Sequence, residues 1–113
     1  MPFDQAFDRG MQALLGDGWL RDRKRLAAYG DEYRRETIAP DAVAVPADRD
    51  QVLALVRLCR EHRVPLVARG SGTNTTGATV PAAGSVVVSF ERMDRILAIR
   101  PGDRCAVVEP GVL

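Results

Sequence analysis

Residues 42–69 read AVAVPADRDQVLALVRLCREHRVPLVAR, and three kinds of local pattern follow one another within them. Ala42-Val43-Ala44-Val45 is a short apolar run closed by Pro46, which has no N–H to give a strand ladder. Asp48, with Gln51 three residues on, is an N-cap pair that can satisfy the orphan amides of a first helical turn. Val52, Leu55, Val56 and Cys59 then recur at i, i+3, i+4 and i+7, so one face of the helix is expected to cover a sheet. Pro65 ends the segment, and Leu66-Val67-Ala68 resumes a strand pattern. The stretch predicts a β-α-β unit, and right-handed crossover sterics make its two strands a parallel pair.

Toward the C-terminus, Val86 to Phe90, Ile96 to Ile99 and Cys105 to Val108 are strand-like, and the turn residues Pro101-Gly102-Asp103 predict a hairpin joining the last two. Toward the N-terminus, Phe7, Met11, Leu14 and Leu15 form an amphipathic stripe that Gly16 and Gly18 stop. A charged second segment from Leu20 to Arg35 presents Leu26, Tyr29 and Tyr33, with Gly30 as a break. The expected fold class is α+β, with a helical segment over residues 1–41 followed by the β-α-β unit and further strands over 42–113. No element follows Glu109-Pro110-Gly111 to close the sheet, so the chain is expected to be a fragment whose exposed sheet edge promotes self-association.

The chain has 113 residues, 46% hydrophobic and 27% charged, which allows one compact soluble domain. Its formal charge is +1 with acids and bases interleaved, which argues against nucleic acid or a membrane surface as partner. Fifteen of the sixteen basic residues are Arg, with Lys24 the exception, and they lie mostly beside acids on helix-like faces. Two cysteines are too few for a disulfide scaffold, and Cys59 and Cys105 both read as buried thiols. Without a basic-then-apolar leader, or the ~20 apolar residues of a membrane span, the expected location is cytoplasmic.

The most informative segment is Arg69-Gly-Ser-Gly-Thr-Asn-Thr-Thr-Gly77, which follows a strand and opens 21 residues, Gly70 to Phe90, without a charged side chain. Gly70 and Gly72 permit φ > 0 and close approach, so successive N–H groups can converge into an anion-binding nest. Ser71, Thr73, Asn74, Thr75 and Thr76 add hydroxyl and amide donors, and a pyrophosphate suits such a loop. The spacing excludes a Rossmann loop, because the third glycine comes five positions after the second and no helix-forming sequence follows. A Walker A loop is excluded because the segment has no Lys. On composition alone, a glycine-rich connection that binds nothing is an equal alternative.

Residues 64–78, 84–99 and 106–112, taken in order, resemble the N-terminal FAD-binding domain of FAD-linked oxidases of the p-cresol methylhydroxylase or vanillyl-alcohol oxidase type (PCMH type). Within that type they are similar to the glycolate oxidase D subunit, D-lactate dehydrogenase and D-2-hydroxyglutarate dehydrogenase group, over about Ala39 to Leu113. The resemblance implies that the backbone of Arg69, Gly70, Ser71, Gly72, Thr73 and Asn74 cradles the FAD pyrophosphate, with Gly77 and Ala78 completing the pocket. It implies a parent enzyme that oxidises a small D-2-hydroxy acid. Some relatives carry a histidine where Thr73 stands and bond it to the flavin; Thr73 implies non-covalent FAD. The blocks Ser89 to Asp94 and Glu109-Pro110-Gly111 suit packing and turn roles. His62, near the end of the helix beside Arg60, Glu61 and Arg63, suits a helix terminus better than catalysis. With no carboxylate pair, Ser-His-Asp set or metal-ligand spacing, no catalytic residue is assigned, and the chain alone is expected to be inactive. Two alternatives stay open: an FAD enzyme of the UDP-N-acetylenolpyruvylglucosamine reductase type, and a non-catalytic nucleotide-binding or interaction module.

Overall fold

The computed structural model describes residues 3–30, 39–73 and 76–113, so Tyr33, Arg35, Asn74 and Thr75 lie outside the described residues. The elements are α1 (Gln5–Leu15), β1 (Trp19–Leu20), α2 (Arg23–Leu26), β2 (Ala42–Ala44), α3 (Arg49–Glu61), β3 (Leu66–Arg69), β4 (Val86–Ser89), β5 (Ile96–Arg100) and β6 (Cys105–Val108). The first helix forms where its stripe predicts. Asp4 caps it by accepting from the Phe7 amide at 2.7 Å, Phe7, Met11 and Leu15 are buried, and Gly16 leaves it at φ +56. At α3 the Asp48 carboxylate accepts from the Gln51 amide at 2.8 Å, and the Gln51 side chain reaches back to the Ala47 amide at 2.8 Å.

The four-stranded sheet runs in the order β1-β2-β4-β3, with β1 antiparallel to β2 and the other pairs parallel. Two expectations are corrected here. The helical segment expected over residues 1–41 contains a strand, Trp19–Leu20, which among the described residues is followed by the short α2 and a 3-10 turn over Ala27–Tyr29. The strands β2 and β3 are parallel but not adjacent, because β4 lies between them. The valines of β4 are buried on both faces and take the centre, whereas β3 follows Pro65, exposes Ala68 and takes the edge.

Alternation along the strands builds two cores. Ala42, Ala44, Val86 and Val88 face α1 and α3 and pack with Phe7, Met11, Trp19, Leu55 and Cys59. Val43 and Val87 face the other way, onto Leu20 and Leu26, with Tyr29 and Val67 at the margin. Residues before 41 therefore contribute to both layers. The buried face of α3 is rotated from the expected stripe: Leu55 and Cys59 are buried, Val52 is half-buried, Val56 is 44% exposed, and Leu58 joins the core in its place. The reason is α1, which passes so close at Gly10 that a Cβ there would sit 2.9 Å from Leu58 Cδ2.

The strands β5 and β6 pair antiparallel through the predicted turn, with a bulge between Ile96 and Ala98 and Arg104 in the left-handed region at φ 53. This hairpin is a sheet of its own, and its side chains are open on both faces, Ile99 at 68% exposure. Cys105 is accordingly exposed rather than buried, since an apolar run signals a strand but not what covers it. Among the described residues no helix is long and apolar enough to cross a membrane. Burial pushes the Cys59 thiol up to about 11, so native protein is expected to react with a thiol reagent at Cys105 only. Counting modified thiols before and after denaturation checks this; two fast-reacting thiols in native protein would contradict the packing of α3.

Candidate functional site

The three sequence blocks meet where the parallel strands end. Arg69 and Ser89 are register partners on β3 and β4, and the Phe90 amide donates to the Arg69 carbonyl at 3.0 Å, which sets the turn after β4 beside the loop after β3. Ligand sites of open parallel sheets lie at this end of the strands. The third block arrives through Gly111. Its amide donates to the Met93 carbonyl at 2.8 Å, and a Cβ on it would lie 2.0 Å from the Phe90 carbonyl oxygen, so only glycine fits. The Pro110 carbonyl consequently sits 3.4 Å from where a Gly70 Cβ would be.

An ion pair holds that approach in place. Glu109 is buried, and its carboxylate accepts from Arg95 Nε at 2.7 Å, Arg95 Nη2 at 2.5 Å and the Arg95 amide at 3.3 Å. The Arg95 guanidinium holds the Glu109 carboxyl below its usual range. The sequence reading took this block as structural without foreseeing the pair.

In the loop, Gly72 has φ +75 and Gly77 φ +78; Gly70 does not have positive φ, so its role is close approach rather than backbone inversion. The amides of Gly70, Ser71, Gly72 and Thr73 have no backbone acceptor among the described residues, and the hydroxyls of Ser71 and Thr73 are 3.2 Å apart. Gly70 and Ser71 form a ridge between two clefts. One, of about 360 Å³, is lined on its far side by Asp94, Ile96, Gly111 and Val112; the other, of about 250 Å³, by Ala28, Tyr29, Arg69 and Ser89. Glu91 lines both. Gly77 and Ala78 lie on the returning arm of the loop and line neither cleft, and Asn74 is outside the described residues.

Sequence reasoning missed the side chains behind the loop. The Arg69 guanidinium lies 5.5 Å from the Tyr29 ring centroid, 3.5 Å from the Gly30 carbonyl oxygen, and against Gly72, where a Cβ would meet its Cζ at 2.6 Å. The Tyr29 hydroxyl donates to Glu91 Oε1 at 2.5 Å, and Ser89 Oγ donates to the same oxygen at 3.1 Å. Tyr29 and Glu91 are 62 residues apart, and no periodicity links them. Among the described residues there is no cluster of His, Cys, Asp or Glu able to hold a metal ion.

The loop fits a pyrophosphate: consecutive N–H groups with no backbone acceptor among the described residues, a glycine whose Cβ would collide with the Arg69 guanidinium, and that guanidinium beneath it. Residues 40–113 match the sequence profile of a family described as "FAD binding domain". The chain belongs to that family. It is 46% identical over 74 residues to the glycolate oxidase subunit GlcD of Bacillus subtilis, an alignment covering 66% of this chain and 16% of that protein. It is 42% identical over 95 residues to the D-2-hydroxyglutarate dehydrogenase of Stutzerimonas stutzeri, covering 83% and 20%. The chain thus spans a fifth or less of the length of these curated relatives. Its structure is similar to that of p-cresol methylhydroxylase, with a TM-score of 0.84 and 30% identity over 97% of this chain and 23% of that one. The mixed fold is therefore that of PCMH-type FAD-binding domains, and FAD is the cofactor of the family.

Burial, followed by the hydrogen bond to Glu91, pushes the Tyr29 phenol of this FAD binding domain up to about 12 from its ordinary 10.0. A raised pKa favours the neutral phenol, so its contribution to stability is complete below pH 10 and lost as pH rises through 12. The ultraviolet titration difference between wild type and Tyr29→Phe is expected to show a midpoint near 12. A midpoint near 10 would mean that the Tyr29–Glu91 contact does not persist in solution.

Proposed function

We propose that this chain is the pyrophosphate-binding part of an FAD-dependent oxidoreductase that oxidises a small D-2-hydroxy acid of the lactate, glycolate or 2-hydroxyglutarate type. The observation that carries the reading is the run of four amides, Gly70 to Thr73, with no backbone acceptor among the described residues, at the C-terminal end of β3 with Gly72 at φ +75. The substrate class is supported by the names of the relatives, which include a glycolate oxidase subunit, a D-2-hydroxyglutarate dehydrogenase and a mitochondrial D-lactate dehydrogenase.

In this reading the backbone of Arg69, Gly70, Ser71, Gly72, Thr73 and Asn74 donates to the pyrophosphate oxygens, and Gly77 and Ala78 shape the returning arm. In the same reading residues 42–113 are the cofactor-binding part, braced from one layer by Phe7, Met11 and Trp19 and from the other by Leu20 and Leu26. Bound FAD supplies a two-electron acceptor for the hydride that leaves the substrate α-carbon. The chain's own contribution is to bind and orient: the loop amides take the negative charge, and Arg69 adds one positive charge beneath Gly72. Thr73 has no imidazole to bond to a flavin, so the cofactor is held without a covalent link. No residue of the chain is assigned to move a substrate proton.

Gly72→Val tests the loop. It forces a β-branched residue into φ +75 and displaces Arg69, so at least two charge-assisted hydrogen bonds are lost, each worth ~1.5–3 kcal/mol. FAD affinity, read from flavin fluorescence, is expected to fall by about 100-fold or more with the melting temperature nearly unchanged. Unchanged affinity would place the pyrophosphate elsewhere. The FAD-loaded chain alone is expected to show no dye-coupled turnover of D-lactate, glycolate or D-2-hydroxyglutarate, and turnover above a no-protein control would show that it holds a base of its own.

A further inference from the structure

We propose that Tyr29 is a positioning residue for the pyrophosphate loop: its ring, with the hydroxyl anchored on Glu91, keeps the Arg69 guanidinium beneath Gly72 before any cofactor arrives. The inference rests on the reading of residues 69–78 as the pyrophosphate site and adds a residue from outside that loop.

Arg69 has a long flexible side chain, and ordering it only when an anion binds would subtract its lost rotamer freedom from the affinity. Here it is already confined on three sides. The Tyr29 ring lies 5.5 Å from Cζ, the Gly30 carbonyl oxygen is 3.5 Å from Nη1, and the Gly72 backbone closes the third side. Tyr29 is itself fixed at both ends. Its backbone belongs to the 3-10 turn Ala27–Tyr29, and its hydroxyl donates to Glu91 Oε1 at 2.5 Å. Glu91 accepts from Ser89 Oγ as well, and Ser89 is the register partner of Arg69. The circuit closes on the residue it positions.

The ring also separates charges. Glu91 is the nearby carboxylate, yet it is bonded to the phenol, and among the described residues no acid lies within ion-pair distance of Arg69. A cation on an aromatic face keeps its charge for an incoming anion, whereas a cation paired with a carboxylate has it cancelled.

The test is a double-mutant cycle read as FAD dissociation constants from flavin fluorescence, using Tyr29→Leu, Arg69→Gln and the double variant. Each single variant is expected to weaken binding about tenfold, and the double variant to bind within about twofold of Arg69→Gln, because Tyr29 acts only through Arg69. Tyr29→Phe keeps the ring and is expected to stay within about threefold of wild type. Additive weakening, about 100-fold in the double variant, or wild-type affinity in Tyr29→Leu, would overturn the proposal. Should Tyr29→Leu fail to fold, side-chain Nε–H relaxation of Arg69 in unliganded wild type decides: a rigid guanidinium supports the proposal, and one that becomes rigid only with FAD overturns it. Loss of binding in Gly72→Val together with an additive cycle would sink this inference alone, whereas unchanged binding in Gly72→Val would remove the loop reading beneath it.

Discussion

Val86, Val87 and Val88 lie between two parallel neighbours with their side chains buried on both faces, and the placement of everything else follows from that strand. A central parallel strand must be apolar on both faces, and it needs a covering layer on each side. The first layer is α1 with α3, gathered on Ala42, Ala44, Val86 and Val88; the second is Leu20 and Leu26, gathered on Val43 and Val87. Because β3 pairs with β4 in register from Leu66↔Val86 to Arg69↔Ser89, both strands end at the same level. The glycine loop and the Phe90 to Asp94 turn therefore emerge side by side.

What converges there is mostly backbone, and backbone tolerates little. Gly111 enters where a single Cβ would overlap the Phe90 carbonyl, Gly72 adopts φ +75 with a guanidinium in the place of its missing side chain, and the Pro110 carbonyl abuts Gly70. The charged groups are arranged around these contacts in separate roles. Arg95 and Glu109 neutralise one another and lock the third block in place. Glu91 is bonded to the Tyr29 and Ser89 hydroxyls, and among the described residues Arg69 places a positive charge beside the loop amides.

The legible features were those fixed by neighbours along the chain. The Asp48 cap, the Phe7-Met11-Leu15 stripe, the strand over residues 105–108 and the Pro101-Gly102-Asp103 turn all depend on spacings of a few residues, and all are present. Features fixed by distant partners were not legible. Nothing local says that β4 separates β2 from β3, or that the approach of α1 at Gly10 turns α3 toward Leu58 instead of Val56. Cys105 reads as buried because an apolar run looks the same whether or not another layer covers it. At the site, the glycine spacing suggested an anion loop and left a loop that binds nothing as an equal alternative, whereas the Tyr29–Glu91 bond and the stacking of Arg69 depend on residues drawn from three separate segments.

The central claim, that backbone amides at the end of β3 hold a pyrophosphate, is tested most directly by residue-resolved amide hydrogen exchange with and without FAD. The account predicts strong slowing of exchange at Gly70, Ser71, Gly72 and Thr73, whose N–H groups have no backbone partner among the described residues, with the β5–β6 turn at Pro101–Asp103 unaffected. Slowing elsewhere in the chain, with those four amides exchanging as fast as in unliganded protein, would contradict it.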